Sequence, residues 1–379
     1  MRIKNLFSKV HLYGGLISGL VVFIVSITGV LYAFKDEFEQ FDEYRFVQAQ
    51  DTPLISPSFA FEKAQTVRPN TKIHSVVFNG REKAIEVIYY QGSPLYYGAA
   101  YLNPYTGELL HETNFLKSFW GLVLIGHRYL WLPPAIGGIL MKFMVISYFV
   151  LLITGFVIWW PKSRRTKGAF WFSKTQNKTA QLREWHQVLG LYATVFIVLF
   201  LLTGSVWLFQ DFGQWMYRAT GGQKEAKFSI PPSDTTLIGT VLTTNPLDSV
   251  YRLVRAEFGE TAQVELHGVD SPEKSILVEV QEKPGYWRMN YLFYDQYSLN
   301  EIPSPHIYGR FADAGPPELI RRVNYEVHTG AIGGFAGKLL AAIMSLLSAS
   351  LPVTGFWFWL KRRKKKSKRS LRNQLIESQ

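Results

Sequence analysis

The chain has 379 residues, of which only 18% are charged and 15% are aromatic, and it contains no cysteine. The lack of cysteine excludes disulfides, thiolate-bound iron–sulfur clusters and covalent haem attachment. The net charge of +12 is concentrated in short segments beside long apolar blocks, at residues 1–9, 162–183 and 361–369. This placement is typical of a membrane topology signal and of contact with anionic lipid, and it argues against a nucleic-acid partner.

Four apolar blocks predict a helical, multi-pass membrane protein. Each block is long enough to cross a hydrocarbon core about 30 Å thick at about 1.5 Å per helical residue. If the basic segments share one side, the positive-inside rule puts both termini in the cytoplasm. The chain then divides into membrane helices at residues 1–34, 135–161, 186–209 and 331–360, outer modules at 35–134 and 210–330, a cytoplasmic loop at 162–185 and a basic cytoplasmic tail at 361–379.

Each outer module is predicted to contain one helix followed by three strands. In the first module these elements are residues 58–68, 73–78, 84–90 and 96–102, and in the second they are 245–258, 262–267, 275–281 and 291–297. The strand segments are rich in β-branched and aromatic residues and are bracketed by turn residues such as Asn79-Gly80. Residues 115–130 are apolar but too short to span, and they predict a helix at the outer membrane interface.

The chain contains the same pattern twice, and this repeat carries the predicted architecture. A second copy of the opening membrane helix begins at His186, and the second and fourth membrane helices also match each other. The sequence therefore predicts two parallel repeats, each a helix, an outer α+β module and a helix, related by a pseudo-two-fold axis along the membrane normal. The matched positions include His11 with His186, Gly15 with Gly190, Thr28-Gly29 with Thr203-Gly204, and Thr154-Gly155 with Thr354-Gly355.

Four of the eight histidines stand at the ends of predicted membrane helices. His11 and His186 open the first and third helices, and His127 and His328 precede the second and fourth. A two-fold axis brings equivalent positions face to face, so the sequence predicts one imidazole pair on each side of the membrane. Two imidazoles meeting between helices form the axial ligand set of a noncovalent b-type haem, and ionisable groups beside membrane spans are usually functional.

Other roles for these histidine pairs are a proton relay or a lone metal ion. Zinc fits less well, because two imidazoles leave its tetrahedral site incomplete. The remaining four histidines are weaker candidates. His74 and His267 are predicted to be surface residues of corresponding strands, and His111 and His306 are predicted to lie in outer loops within reach of a ligand.

Several of these features together resemble the PepSY-associated transmembrane family over residues 1–362. They are the two histidine-to-Thr-Gly helices, the Asn-Pro-Tyr-Thr-Gly-Glu turn at residues 103–108, and the His127-Arg128 and His328-Thr329-Gly330 entries. Within that family the chain is similar to the inner-membrane ferric-siderophore reductases of bacterial iron uptake. The second module departs from the pattern at residues 295–301, where the Thr-Gly-Glu turn is missing.

The resemblance implies two b haems, held by His11, His127, His186 and His328, in the bacterial inner membrane. Electrons would pass outward from a cytoplasmic donor or a quinol to a periplasmic ferric siderophore, which then releases Fe(II). Arg128 and Arg321, which flank the outer histidines, would pair with haem propionates.

Helix lengths place the His127–His328 pair at the outer interface, so the chelate is expected there. The predicted chelate contacts are Trp131, Tyr308, Arg310 and Tyr325, together with Trp120 and Tyr129. The alternative function is that of a non-enzymatic PepSY-type binding or regulatory protein whose histidines are structural. A carrier that moves the chelate itself needs broken helices with polar groups at the membrane midplane, and these sequences contain few such groups.

Overall fold

The computed structural model describes residues 2–160, 170–172, 177–239 and 244–377. The chain separates into two units, each with its own contacts. The helical unit comprises Met1–Phe34, Val123–Phe209 and His328–Gln379, and the sheet unit comprises Lys35–Leu122 and Gln210–Val327. The predicted loop at residues 162–185 lies in part outside the described residues, and its last part belongs to a helix that begins at Lys178.

Eleven helices and eight strands occur within these described ranges. The helices are α1 (Arg2–Ala33), α2 (Lys35–Glu39), α3 (Pro57–Val67), α4 (Phe119–Tyr129), α5 (Pro134–Trp159), α6 (Lys178–Leu208), α7 (Gln210–Ala219), α8 (Pro246–Phe258), α9 (Pro316–Arg322), α10 (Asn324–Thr329) and α11 (Gly334–Glu377). The strands are β1 (Ile73–Phe78), β2 (Ile85–Gly92), β3 (Leu95–Leu102), β4 (Leu109–Asn114), β5 (Gln263–His267), β6 (Ile276–Gln281), β7 (Asn290–Tyr294) and β8 (Glu301–Ile302).

Four helices in the described ranges are long and apolar enough to cross a membrane: α1, α5, α6 and α11. They extend further than the apolar blocks of the sequence. Because α1 begins at Arg2 and α6 at Lys178, His11 and His186 lie inside their helices and not at the helix starts. Lys and Arg have high helix propensity, so the helices continue through the basic flanks, and α11 runs on through the basic tail.

Small residues let the long helices approach one another closely. A Cβ atom added at Gly19 of α1 would lie 2.9 Å from the Cβ of Pro352 in α11, and one added at Gly14 would lie 3.1 Å from Leu151 of α5. Helix pairs in membranes associate through such close contacts, because lipid provides little hydrophobic driving force. On the other side of the bundle, buried Ala193 and Ile197 of α6 pack against α5 and α11.

The sheet unit is built on one antiparallel sheet with the strand order β4-β3-β2-β1-β5-β6-β7-β8. The sequence predicts three strands in each of two modules and misses β4 and β8, because β4 (LLHETN) lacks apolar alternation and β8 has only two residues. The sequence also does not predict that β1 pairs with β5, where Val76 lies opposite Leu266. This pairing joins the two modules into a single sheet.

Helices α3 and α8 cover one face of this sheet. Alternate strand residues such as Val76, Val87 and Val264 point into the core beneath the helices and are fully buried. Both helices begin with proline in the first turn after a capping residue, Ser56 for α3 and Asn245 for α8, whose side chains accept backbone N–H groups.

Two histidines outside the membrane ends, His111 and His267, differ from their predicted positions, whereas His306 lies in a loop as predicted. His111 lies in strand β4 and stacks on Tyr44, not in a loop. His267 is buried and not on the sheet surface, because β5 is a central strand and not an edge. His306 is also buried, its Nε2–H donates to Ser229 O (2.6 Å), and burial lowers its pKa. His306 therefore stabilises its loop in the neutral form.

Candidate functional site

The imidazole of His11 is fixed by α5. Its Nδ1 atom lies 3.1 Å from the carbonyl oxygen of Leu151 and 3.1 Å from the hydroxyl of Thr154. His186 of α6 has the matching environment on α11, where Nδ1 lies 3.0 Å from Leu351 O and 3.1 Å from Thr354 Oγ1. Each of these two histidines is therefore held by the next long apolar helix in the chain.

His127 and His328 have the same kind of partner. Nδ1 of His127, in the last turn of α4, lies 3.0 Å from Val25 O and 3.3 Å from Thr28 Oγ1 of α1. Nδ1 of His328, in α10, lies 2.8 Å from Thr203 Oγ1 of α6. Thus one threonine contacts each of the four histidines, always through Nδ1.

The threonine hydroxyls determine which imidazole nitrogen carries the proton. Each donates its own hydrogen to a carbonyl one turn earlier in its helix, as Thr154 does to Val150 O (2.8 Å) and Thr203 to Leu199 O (2.7 Å). The hydroxyl oxygen can then only accept from the histidine, so Nδ1 is the protonated nitrogen. This leaves the lone pair of Nε2 free, which is the arrangement of a metal-ligating histidine oriented by an outer-shell partner.

A glycine follows each of these threonines and makes room for the imidazole. Added Cβ atoms would lie 3.0 to 3.4 Å from a histidine Cε1 atom at all four positions, which are Gly29, Gly155, Gly204 and Gly355. A Cβ atom at the tightest of these positions, Gly155, would require the ring or the helix to shift by a few tenths of an ångström. The Thr-Gly pair therefore acts as one unit, in which the threonine holds Nδ1 and the glycine accepts the ring edge.

The structure brings the four histidines together in two pairs. The ring centroids of His11 and His186 are 6.1 Å apart, and those of His127 and His328 are 6.2 Å apart. The ring planes are steeply inclined, at 82° and 72°. The centroid separation is about that expected for two imidazoles that bind one metal ion. It is the sum of two metal–nitrogen bonds of about 2 Å each and the distance from each nitrogen to the centroid of its ring. The inclination of the rings does not prevent their two nitrogens from pointing at the same ion, because both ring planes can contain the line that joins the two nitrogens.

The ligand number of each pair suits a haem better than a bare metal ion. Within the described ranges, no third histidine or carboxylate closes around either pair to form a metal-binding group. A tetrahedral zinc ion would lack two ligands. A haem would supply four nitrogen ligands of its own and would need two more, and each pair has two imidazoles that would fill this need. The fit is good, and the role of the four histidines as haem ligands stays a prediction.

The two pairs lie far apart along the bundle. Helix α1 carries His11 of one pair and Thr28, which contacts His127 of the other. The 17 residues between positions 11 and 28 correspond to roughly 25 Å of helix, most of a hydrocarbon core. The helical unit therefore places one imidazole pair towards each end of its spans.

The chain after His127 is strained. Leu130 and Trp131 have φ angles of 56° and 58°, which costs a non-glycine residue roughly 1 kcal/mol or more. The Trp131 indole lies against Gly126, one residue before His127, and is half exposed. The Arg128 guanidinium lies over the Tyr129 ring at 5.2 Å from its centroid. Trp131 and Arg128 are thus close to the His127–His328 pair, and their roles at a chelate or propionate stay predictions.

The other predicted contacts lie in the sheet unit, and the structure gives several of them partners there. The Arg310 guanidinium forms ion pairs with Glu257 and Glu301. Tyr325 contacts the Tyr286 ring at 5.4 Å, and Tyr308 contacts the Tyr291 ring at 5.4 Å. On α9, the Nε atom of Arg321 is buried and has no hydrogen-bond partner among the described residues.

The cleft beside Arg310 is small. Its volume is about 160 Å³, and Lys224 and Arg322 also line it. Sites for drug-sized ligands measure roughly 300 to 1,000 Å³, so this cleft alone is too small for a ferric siderophore.

An apolar groove lies between α1 and α5 beside His11. Its volume is about 600 Å³, and it is lined by residues that include Tyr13, Gly14, Ile146 and Leu151. Leu151 is also the residue whose carbonyl contacts His11. The groove is therefore lined by a residue that also contacts His11.

The sequence alone assigns no role to the Thr-Gly pairs, although they align the repeats. The signal was available, because a Thr-Gly pair occurs at a matched position in all four membrane helices. The sequence does not show which helices are neighbours, and this decides which histidine each Thr-Gly pair contacts.

The comparison with known families agrees with the extent of these features. A model described as the PepSY-associated TM region matches residues 8–362, which include all four histidines and all four Thr-Gly pairs. A comparison with curated proteins found no match.

The contact between a glycine and an imidazole can be tested with two Gly→Ala substitutions in α5. Alanine gains about 1 kcal/mol of helix propensity over glycine at either site. At Gly155 the new methyl group would lie 3.0 Å from His11 Cε1, whereas at Gly138 no described atom lies within 4 Å. We expect Gly155→Ala to lower the midpoint of thermal unfolding in detergent and Gly138→Ala to preserve or raise it. Equal effects would show that Gly155 does not limit the position of His11.

Proposed function

This chain belongs to the PepSY-associated transmembrane family, and from its two imidazole pairs we propose that it is a membrane oxidoreductase. It carries electrons across the bilayer through two noncovalent b haems, one at each pair, and reduces a ferric siderophore outside the inner membrane. The fourfold contact between a Thr-Gly pair and an imidazole is the observation that carries this proposal. If the histidines were purely structural, nothing would require the Nε2 lone pair to be left free in all four of them.

The pseudo-two-fold arrangement of the repeats is part of the proposal. Two observations support it: equivalent histidines contact equivalent Thr-Gly pairs, and β1 and β5, the first strands of the two modules, pair with each other. An axis between equivalent helices brings the imidazoles of a pair towards one point. A haem bound there supplies one-electron chemistry at a fixed depth in the membrane.

Charge near the pairs supports a direction for the electrons. The end of the helical unit with His11 and His186 also carries Lys4, Lys9 and Lys361. By the positive-inside rule this end is cytoplasmic, so both termini are in the cytoplasm and the His127–His328 pair faces the periplasm. Residues 161–169 and 173–176, which carry part of the same charge, lie outside the described residues.

The reaction balances with a quinol as the reductant. One quinol gives two electrons and releases two protons as it becomes a quinone. Each electron reduces one Fe(III) in its chelate to Fe(II), whose lower charge weakens its attraction to the anionic oxygen ligands. The iron then leaves the chelate more easily, and two chelates are reduced for each quinol.

The groove beside His11 is the proposed site of this donor. Water-soluble donors cannot enter an apolar groove on the lipid side of the spans, whereas a quinol dissolves in the bilayer. Tyr13 and Ser147 supply hydroxyl groups and Lys9 supplies an ammonium group, and the other lining residues are apolar. This matches the usual make-up of a small-molecule site, which is mostly apolar with a few polar groups that set orientation.

Removal of one histidine tests the haem assignment. We expect the purified protein to contain two haems and the His186→Ala variant to contain one, because a single remaining imidazole holds haem poorly. His111→Ala is the matched control, since His111 lies in β4 of the sheet unit. Haem is counted by the pyridine haemochrome absorbance per protein chain. Two haems in the His186→Ala variant, with an unchanged spectrum, would contradict the pairing.

A tryptophan pair tests where the chelate binds. Trp131 and Trp160 are similarly exposed (52% and 58%) and lie beyond opposite ends of α5. We expect Trp131→Ala to slow several-fold the oxidation of the dithionite-reduced protein by a ferric siderophore, because Trp131 lies beside the periplasmic pair. Trp160→Ala is expected to have no effect. The rate is followed by stopped-flow absorbance, and both variants must retain two haems. If both variants reacted at the wild-type rate, the chelate would dock elsewhere.

Two isoleucines on α5 test the donor groove. Ile146 lines the groove, whereas Ile139, about two helical turns earlier, does not, and both are exposed. The larger side chain of Ile146→Trp is expected to fill the groove and slow haem reduction by a lipophilic quinol several-fold. Reduction by dithionite should be unchanged, and Ile139→Trp should behave like the wild type. Equal quinol rates in all three proteins would exclude this groove as the donor site.

A further inference from the structure

Four polar side chains converge in the middle of the sheet, at the seam where the two modules join. They are His74 of β1, Glu265 and His267 of β5, and Glu279 of β6. The ligand atoms of His74, Glu265 and His267 all lie within 4.8 Å of one another. The Nε2 atom of His267 is 3.6 Å from Glu265 Oε1 and 3.2 Å from Glu279 Oε1. We call these four residues the seam cluster.

Strand pairing assembles the seam cluster from distant parts of the chain. Ser75 of β1 lies opposite His267 of β5, and Glu265 lies opposite Glu279 of β6. A register irregularity in β1 between Ile73 and Ser75 falls at His74. Such irregularities re-aim side chains, and here the His74 ring lies 4.9 Å from the His267 ring.

The buried end of His267 is the observation that points to a ligand. His267 is only 8% exposed, and its Nε2 has no hydrogen-bond partner among the described residues. The two carboxylates are close to this nitrogen but are not aligned for hydrogen bonding. Buried polar atoms without partners are rare in folded proteins and usually mark a missing water, ion or functional group. Here the unpaired nitrogen faces a cluster of other ligand atoms.

We propose that the seam cluster binds one divalent first-row transition-metal ion, of the Zn²⁺ or Fe²⁺ class. Two imidazoles with a carboxylate are a common ligand set for these ions. Calcium and magnesium prefer oxygen ligands only. Soft ions such as Cu(I) prefer sulfur ligands such as cysteine, and this chain contains no cysteine. His74, His267 and Glu265 are the ligands, and Glu279 completes the site or balances its charge.

The geometry needs only a small adjustment for an ion. Two atoms bound to one ion at about 2 Å each lie no more than about 4 Å apart. His74 is exposed, so its ring can rotate to close the longest separation, and it also gives the site an opening to solvent. Glu265 is already oriented, because the Ser75 hydroxyl donates to its Oε1 at 2.6 Å. Outer-shell hydrogen bonds of this type are typical of metal sites.

Charge favours a cation at this position. Glu265 and Glu279 are both largely buried on the same face of the sheet. Glu265 lies directly opposite Glu279 on the neighbouring strand, and like charges in this arrangement repel each other. A divalent cation removes this repulsion. The competing explanation is that His267 interacts directly with the two carboxylates and no metal binds.

The test measures Zn²⁺ binding to the full-length protein in detergent, after treatment with a chelator. Equilibrium dialysis with Zn²⁺ should give one ion per chain. The variants His74→Ala and Glu265→Gln are expected to weaken binding by at least about tenfold, as losses in a metal site do. His111→Ala, a histidine of the same sheet outside the cluster, is the matched control and should bind like the wild type. His186→Ala should also bind normally, which separates this site from the haem pairs.

A second readout guards against variants that fold poorly. A metal that binds only the folded state raises the unfolding temperature. Zn²⁺ should therefore raise the unfolding temperature of the wild type and of His111→Ala, but not of His74→Ala, whose exposed side chain is tolerant of change. No stoichiometric Zn²⁺ binding, or equal affinity in the wild type and His74→Ala, would overturn the proposal and favour a direct interaction of His267 with the two carboxylates. Since the seam cluster shares no residue with the imidazole pairs, failure here leaves the proposed function untouched.

Discussion

The hydrogen bond between a membrane-helix threonine and a histidine Nδ1 is the interaction on which the helical unit depends. It occurs four times, and each time the threonine hydroxyl is already committed to its own helix as a donor. The histidine must therefore donate from Nδ1 and keep the Nε2 lone pair free. Polar groups among apolar helices are costly unless they have partners. Two such rings lie 6.1 to 6.2 Å apart at each end of the bundle, each with an Nε2 lone pair that its threonine does not use.

The same constraint explains the glycines and the backbone strain nearby. A ring held by threonine needs space beside it, and glycine is the residue that leaves enough, as at Gly155 and Gly355. The left-handed conformations of Leu130 and Trp131 fold the chain back over the turn that carries His127. Strain of this kind is retained where the surrounding structure requires it, often at functional sites. In the proposed function, these features fix the depth and orientation of each haem.

Much of the helical unit was predictable from the sequence, because the repeat aligns histidines with histidines and Thr-Gly pairs with Thr-Gly pairs. The contacts between them were not, since the sequence does not say which helices are neighbours. In the sheet unit, the predicted strands with alternating apolar residues exist, but β4 has no such alternation. The pairing of β1 with β5 joins residues far apart in the chain, and no local pattern encodes it. His74 and His267 therefore looked like separate surface residues when they form one cluster.

The central claim is that each imidazole pair holds one haem through two histidine nitrogens. Electron paramagnetic resonance of the oxidised, purified protein measures this most directly, because the spectrum reports spin state and axial ligands. The account predicts two low-spin ferric haem signals of equal intensity, both typical of two imidazole ligands, and together two spins per chain. A high-spin signal as the main species, or a chain purified from haem-replete cells without haem, would contradict it.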